Sequence, residues 1–128
     1  MGLSPIDSEG ENAHGEKVKA KTPHWSLERL KALVTAGEIH IHASVYQNFS
    51  TRAEARRCTA EMCLEVTTDQ FAETLNMTWD KADVYGVRFR DGGWYLKVAI
   101  DEEIPEAVCI SFHPLKRPLR TNRGEVKP

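Results

Sequence analysis

The sequence is poor in the features that mark a cofactor site, a membrane segment or a crosslinked scaffold. Its three cysteines, Cys58, Cys63 and Cys109, are odd in number and show no CxxC spacing. That argues against a disulfide framework and a thiolate zinc site, and favours reduced, buried thiols. No apolar run approaches the roughly 20 residues of a membrane span. The opening stretch MGLSPIDSEGENAHGEK has neither the charged nor the apolar region of a secretion signal, so a cytoplasmic location without a membrane partner is expected. GxGxxG and P-loop patterns are missing, as is any elbow motif around a serine or cysteine nucleophile. Residues 1–21 hold almost no large apolar side chains, too few to offset the entropy of ordering them, and are expected to form a flexible extension. His40 and His42 share a strand face in EIHIH, but no third ligand follows at a recognisable spacing, so no metal is assigned.

What remains is enough for one domain: 128 residues, 41% of them hydrophobic, can bury a modest core. The domain is placed at 22–115. In SLERLKALVTAG, Leu27, Leu30, Leu33 and Val34 fall on one helical face, Ser26 can cap the start and Gly37 can end it, which predicts a helix over 27–36. EIHIH alternates as a strand, Ile39 and Ile41 inward. Ala55, Cys58, Met62 and Val66 form a stripe opposite Arg52, Arg56, Arg57 and Glu61, predicting a helix within 50–66. Thr67 and Gln70 have the spacing of a capping box and Phe71 and Leu75 that of an i, i+4 pair, predicting a further helix over 68–76. The period then switches to two. DVYGVRFR, a DGG turn tolerant of positive φ, WYLKVAI, a loop and AVCISF read as a three-stranded meander. The expected class is α+β, an antiparallel sheet with helices packed on one face. Trp94, Leu96, Val98 and Ile100 share one side of their strand; Tyr95, Lys97 and Ala99 share the other.

The formal net charge of −2 is unevenly spread. Residues 113–128 hold five basic side chains against Glu125 alone, a net +4 that leaves −6 in residues 1–112. The segment 116–128 is expected to be a flexible basic tail, attractive to a phosphate backbone. A basic and aromatic grouping accompanies it on the final strands: Tyr85, Arg88, Arg90, Tyr95, Lys97, His113, Lys116 and Arg117. By alternation Arg88 and Arg90 share a face, and tyrosines can stack on bases. Ribonuclease chemistry without a metal needs such an inventory: a base for the ribose 2′-OH, an acid for the 5′-oxygen, and cations for a phosphorane-like transition state. His113 suits either proton role; Arg88, Lys97 or Lys116 suits the charge clamp.

KTPHWSLERLKALVTAG, DVYGVRFRDGGWYLKV and the closing ISF together resemble the MqsR toxins of bacterial type II toxin-antitoxin modules, over residues 21–113 and with looser similarity across 43–81. The resemblance implies a RelE-like α+β fold and an mRNA interferase, independent of metals and other cofactors, that cuts mRNA at GCU-like sites. It implies neutralisation by a separate MqsA-type antitoxin, with DNA reached only through that partner. The family's catalytic tyrosine falls on Tyr95 and its C-terminal lysine on His113, with Lys116 three residues further on. Its other lysine falls near Glu73 and its glutamine on Ala82, beside Lys81. The basic and aromatic grouping and the resemblance together give an expected catalytic set of Tyr95, His113, Arg88 and Lys97 and an expected RNA-binding set of Tyr85, Arg90, Lys81, Lys116 and Arg117. The exchanges at Glu73 and Ala82 carry a second reading, a module that binds antitoxin or RNA without cleaving.

Overall fold

Ser26 caps the first helix as its sequence position suggests: its Oγ accepts from Arg29 N at 3.2 Å at the start of α1 (Leu27–Thr35), and Gly37, at φ 82°, closes the turn after it. The computed structural model describes residues 21–128, so the extension expected over 1–21 lies outside the described residues except for Lys21. Next come β1 (Ile39–Ile41), the short α2 (Ala43–Tyr46) and α3 (Arg52–Glu65). Thr51 caps α3 by accepting from Glu54 N at 3.0 Å, and Ala55, Cys58 and Met62 are buried along its inner stripe. No helix among the described residues is long and apolar enough to cross a membrane.

The helix expected over 68–76 is not there. Gln70 Oε1 does accept from Thr67 N at 2.9 Å, but the turn stops after Thr68–Gln70, and β2 (Phe71–Asn76) pairs antiparallel with β3 (Lys81–Phe89). A bulge between Phe71 and Glu73 disrupts the alternation. Phe71 pairs with Tyr85 and Leu75 with Ala82, so two residues four apart sit on opposite faces while imitating a helical pair.

The meander of β3, β4 (Gly92–Asp101) and β5 (Glu106–Pro114) forms the centre of a five-stranded sheet ordered β1-β5-β4-β3-β2. β1 runs parallel to β5, so the sheet is mixed where an antiparallel one was expected. Between β1 and β5 the chain runs through α2, α3 and three strands, so the two are not joined by a hairpin and are free to pair in parallel. The turn residues also differ from expectation. The two-residue loop is Arg90–Asp91, at φ 53° and 64°, and the glycines of DGG lie inside β4. The helices cover one face. Leu30, Leu33, Val45, Met62, Cys63 and Val66 meet Tyr85, Val87, Trp94, Leu96, Val98, Ile100, Cys109 and Phe112 in one core.

The basic tail expected to be solvated and flexible folds instead as a hairpin, β6 (Leu119–Thr121) and β7 (Gly124–Val126). Its tip is fastened by Asn122 N to Phe71 O at 3.0 Å, Arg123 N to Asp69 O at 2.9 Å and Asn122 Nδ2 to Lys21 O and Thr68 O at 2.8 and 2.9 Å. The hairpin lies over glycines. A Cβ on Gly86 would stand 3.0 Å from Thr121 Cγ2, and one on Gly93 only 2.2 Å from the Lys127 carbonyl oxygen. Alternation gave no weight to the apolar Leu119 and Val126, which supply the burial that holds this segment down.

Candidate active site

Strand register decides which candidate residues meet. Gly86, Tyr95 and His113 form one cross-strand row, and Val84, Lys97 and Ser111 form the next. Arg88 pairs with Gly93 one row to the other side. All lie on the face away from the helices, because the alternate residues Tyr85, Val87, Trp94, Leu96 and Phe112 belong to the core. Tyr95, His113, Lys97 and Arg88 therefore share one face, with successive rows about 7 Å apart along the strands.

Within that face Tyr95 and His113 form the tightest unit. Their rings are parallel, 9° between planes and 5.0 Å between centroids, held by direct cross-strand pairing. His113 Nδ1 lies 2.9 Å from the Pro114 carbonyl oxygen. A carbonyl can only accept, so Nδ1 carries the proton and Nε2 holds the lone pair in the neutral ring. Burial, then the carboxylate of Glu73, pushes the Tyr95 phenol above its ordinary pKa, so at neutral pH Tyr95 is a hydrogen-bond and proton donor. The hairpin over Gly86 contributes a wall beside it. Arg88 Nη1 points to the Lys127 carbonyl oxygen, 3.4 Å away. Lys97 is half-buried and finds no ion-pair partner among the described residues.

The other expected RNA contacts do not gather here. Tyr85 is fully buried against Phe71, with ring centroids 5.5 Å apart, and burial raises its phenol further still; it can neither stack on a base nor reach solvent. Arg90 does not share the face of Arg88. Positive φ at the turn swings it over the rings of Phe49 and Phe89, at 5.1 and 5.0 Å, where it pairs with Glu54 of α3 and holds that carboxyl below its ordinary value. Lys81 begins β3, five residues from Gly86, and donates to Asn76 Oδ1 at 2.7 Å. Lys116 and Arg117 are exposed just after β5, at the same end of the sheet as Arg88. His42, one of the strand pair considered for a metal, caps α2 by accepting from Ser44 N at 3.3 Å.

Sequence reasoning missed Ser111, which faces Lys97, and placed Glu73 on a helix when it lies in the row of Val84 and Lys97. It also missed a cavity of about 780 Å³, which opens at the opposite end of the strands. That cavity is lined by Asp80, Asp101, Glu102, Glu103 and Glu106, a carboxylate rim that repels a phosphate backbone. Arg88, Lys116 and Arg117 and the acidic cavity thus occupy opposite ends of the sheet.

No protein-family model and no curated protein sequence matches the chain.

Proposed function

We propose that the chain is a toxin-type endoribonuclease of MqsR-like, RelE-like kind, cleaving mRNA and neutralised by a cognate antitoxin. The observation that carries it is the stacked Tyr95–His113 pair on the sheet face away from the helices, with Nε2 of His113 unpartnered among the described residues and the Tyr95 phenol held protonated. In this reading Nε2 takes the proton of a ribose 2′-OH. The 2′-oxygen bonds to phosphorus, the bond from phosphorus to the 5′-oxygen breaks, and a 2′,3′-cyclic phosphate remains. Tyr95 has a proton to donate to the departing 5′-oxygen. Lys97 and Arg88 offset charge on the phosphorane-like transition state.

Purified protein should cleave single-stranded RNA in EDTA and leave 2′,3′-cyclic phosphate ends. His113→Ala and Tyr95→Phe should each lower the rate about a hundredfold, the scale of a lost general acid or base. Intact RNA in the presence of folded protein sinks the proposal. The second reading, a module that binds RNA or antitoxin without cleaving, is favoured by one observation: Glu73 places a negative charge in the row of Lys97, near enough to bear on Tyr95. Binding without cleavage, together with unimpaired bacterial growth on expression, is its signature.

A further inference from the structure

Beyond Cys109, the edge of β5 away from β4 has no strand partner, because β1 pairs only with Ala107 to Cys109. Side chains of α2 and the residues after it take over that edge. Ser44 Oγ donates to Ile110 O at 3.4 Å, and Asn48 Nδ2 donates to Phe112 O at 3.0 Å. Between α2 and the end of β5 lies a pocket of about 370 Å³ that includes His113 and Lys116 in its wall. His113 therefore borders both this pocket and the Tyr95 face.

The polar groups of the pocket have defined senses. Asn48 Nδ2 is surrounded by three carbonyl oxygens, those of Phe112 at 3.0 Å and of Ser44 and Val45 at 3.4 Å. An amide oxygen in that position would face three acceptors, so the orientation of the amide is fixed. Oδ1 then points away from them and accepts no hydrogen bond among the described residues. Gln47 is exposed and free to adapt, Lys116 brings a cation to the rim, and Phe112, Pro114 and Leu115 supply apolar wall. The volume is at the lower end of the roughly 300–1,000 Å³ of small-molecule sites, enough for one nucleotide rather than two.

We infer that this pocket is a subsite for a single nucleotide of the RNA, with Asn48 Oδ1 as a fixed acceptor that selects bases bearing an exocyclic amine at the pairing edge, cytosine and adenine over uracil. The inference rests on the reading of RNA as the substrate and adds to it a site and a preference. Unstacked bases of single-stranded RNA are read by hydrogen bonds to that edge. Uracil presents a carbonyl oxygen where cytosine presents the amine, so it leaves Asn48 Oδ1 facing another acceptor. Lys116 meets the phosphate without regard to the base.

The test uses the full chain in EDTA, titrated with 5′-CMP, 5′-AMP and 5′-UMP while backbone amides of residues 44–48 and 112–116 and the side-chain amides of Gln47 and Asn48 are followed by NMR. Saturable shifts confined to these residues are expected, with 5′-CMP and 5′-AMP binding about tenfold more tightly than 5′-UMP, the upper range for one hydrogen bond. Asn48→Ala should remove the difference, and Lys116→Ala should weaken all three alike. Equal affinity for the three nucleotides, or no saturable shift at the pocket, overturns the inference; the wild-type comparison decides even if Asn48→Ala does not fold. Nucleotide discrimination at the pocket alongside intact RNA would keep the subsite and dismiss the ribonuclease. RNA cleavage with no amino-base preference that Asn48→Ala alters would do the reverse.

Discussion

Asp83 is fully buried and holds two distant parts of the chain together. Its carboxylate accepts from His24 N at 3.0 Å, Trp25 N at 2.7 Å and Thr74 Oγ1 at 2.6 Å. The segments KTPHW and DVY are thus joined to each other, and this aspartate has a structural task. Asp83→Ala leaves two backbone amides and a hydroxyl without their acceptor, each costing about 1–3 kcal/mol when buried. With some access of water a loss of about 3 kcal/mol is expected, and a smaller loss for Asp83→Asn, which keeps one oxygen. Urea denaturation of the three proteins measures this; wild-type stability in Asp83→Ala would show that the carboxylate holds nothing. Strand alternation showed which side chains share a face, but it did not fix the register. A turn centred on DGG would pair Tyr85 with Ala99 on the open face, whereas the Arg90–Asp91 loop pairs it with Leu96 in the core. That is why the face of Tyr95 was legible and Tyr85 was misplaced.

Among the elements, those with a single clear period were readable: α1, the stripe of α3 and the central meander match their sequence patterns. β2 was misread because Phe71 and Leu75 stand four apart, the spacing of one helical face, while its bulge breaks the alternation that marks a strand. The β6–β7 hairpin was misread because charge dominates its composition, although L-R-T-N-R-G-E-V carries both alternation and a turn. α2 has four residues, too few for a periodicity, so the pocket it makes with β5 had no sequence signal. The hairpin does explain two glycines. At Gly93 a methyl group would meet the Lys127 carbonyl oxygen and Leu115 Cδ1, at 2.2 and 2.9 Å, so the C-terminal strand must lift to admit it. Gly93→Ala is expected to destabilise the protein by about 1–3 kcal/mol, the usual cost of overpacking, and to speed tryptic cleavage after Arg120 and Arg123. In a chain ending at Pro118 the same substitution should cost little, since the clashing carbonyl is gone and only the flexible end of Leu115 must shift. An equal cost in both backgrounds would place the strain elsewhere.

At the scale of the whole molecule, the same core that backs the site holds groups whose protons it will not release. Burial pushes the Cys63 thiol up to about 12 and the Cys109 thiol well above its ordinary value, and burial first, then the Asp83 carboxylate, raises the Tyr85 phenol. In the unfolded chain a thiol titrates near pH 8.5 and a phenol near 10. Because the folded-state values are raised, their contribution to stability is complete below about pH 8.5 and is lost as pH climbs towards the folded values: the unfolded state sheds protons that the folded state keeps. For Cys63 this is about 1.36 kcal/mol per pH unit across that window, roughly 2 kcal/mol at pH 10, and Cys109 adds a loss of the same sign. All three side chains belong to the one core that both layers share, so the loss should appear as a single cooperative shift rather than as local fraying. The urea midpoint should therefore hold steady from pH 7 to 8.5 and fall steeply by pH 10. A Cys63→Ala, Cys109→Ala chain, though less stable at pH 7, should lose much less over the same interval. A wild-type midpoint that does not move between pH 8.5 and 10 would mean that these thiols ionise in the folded protein, and that the layers over them are looser than their burial indicates.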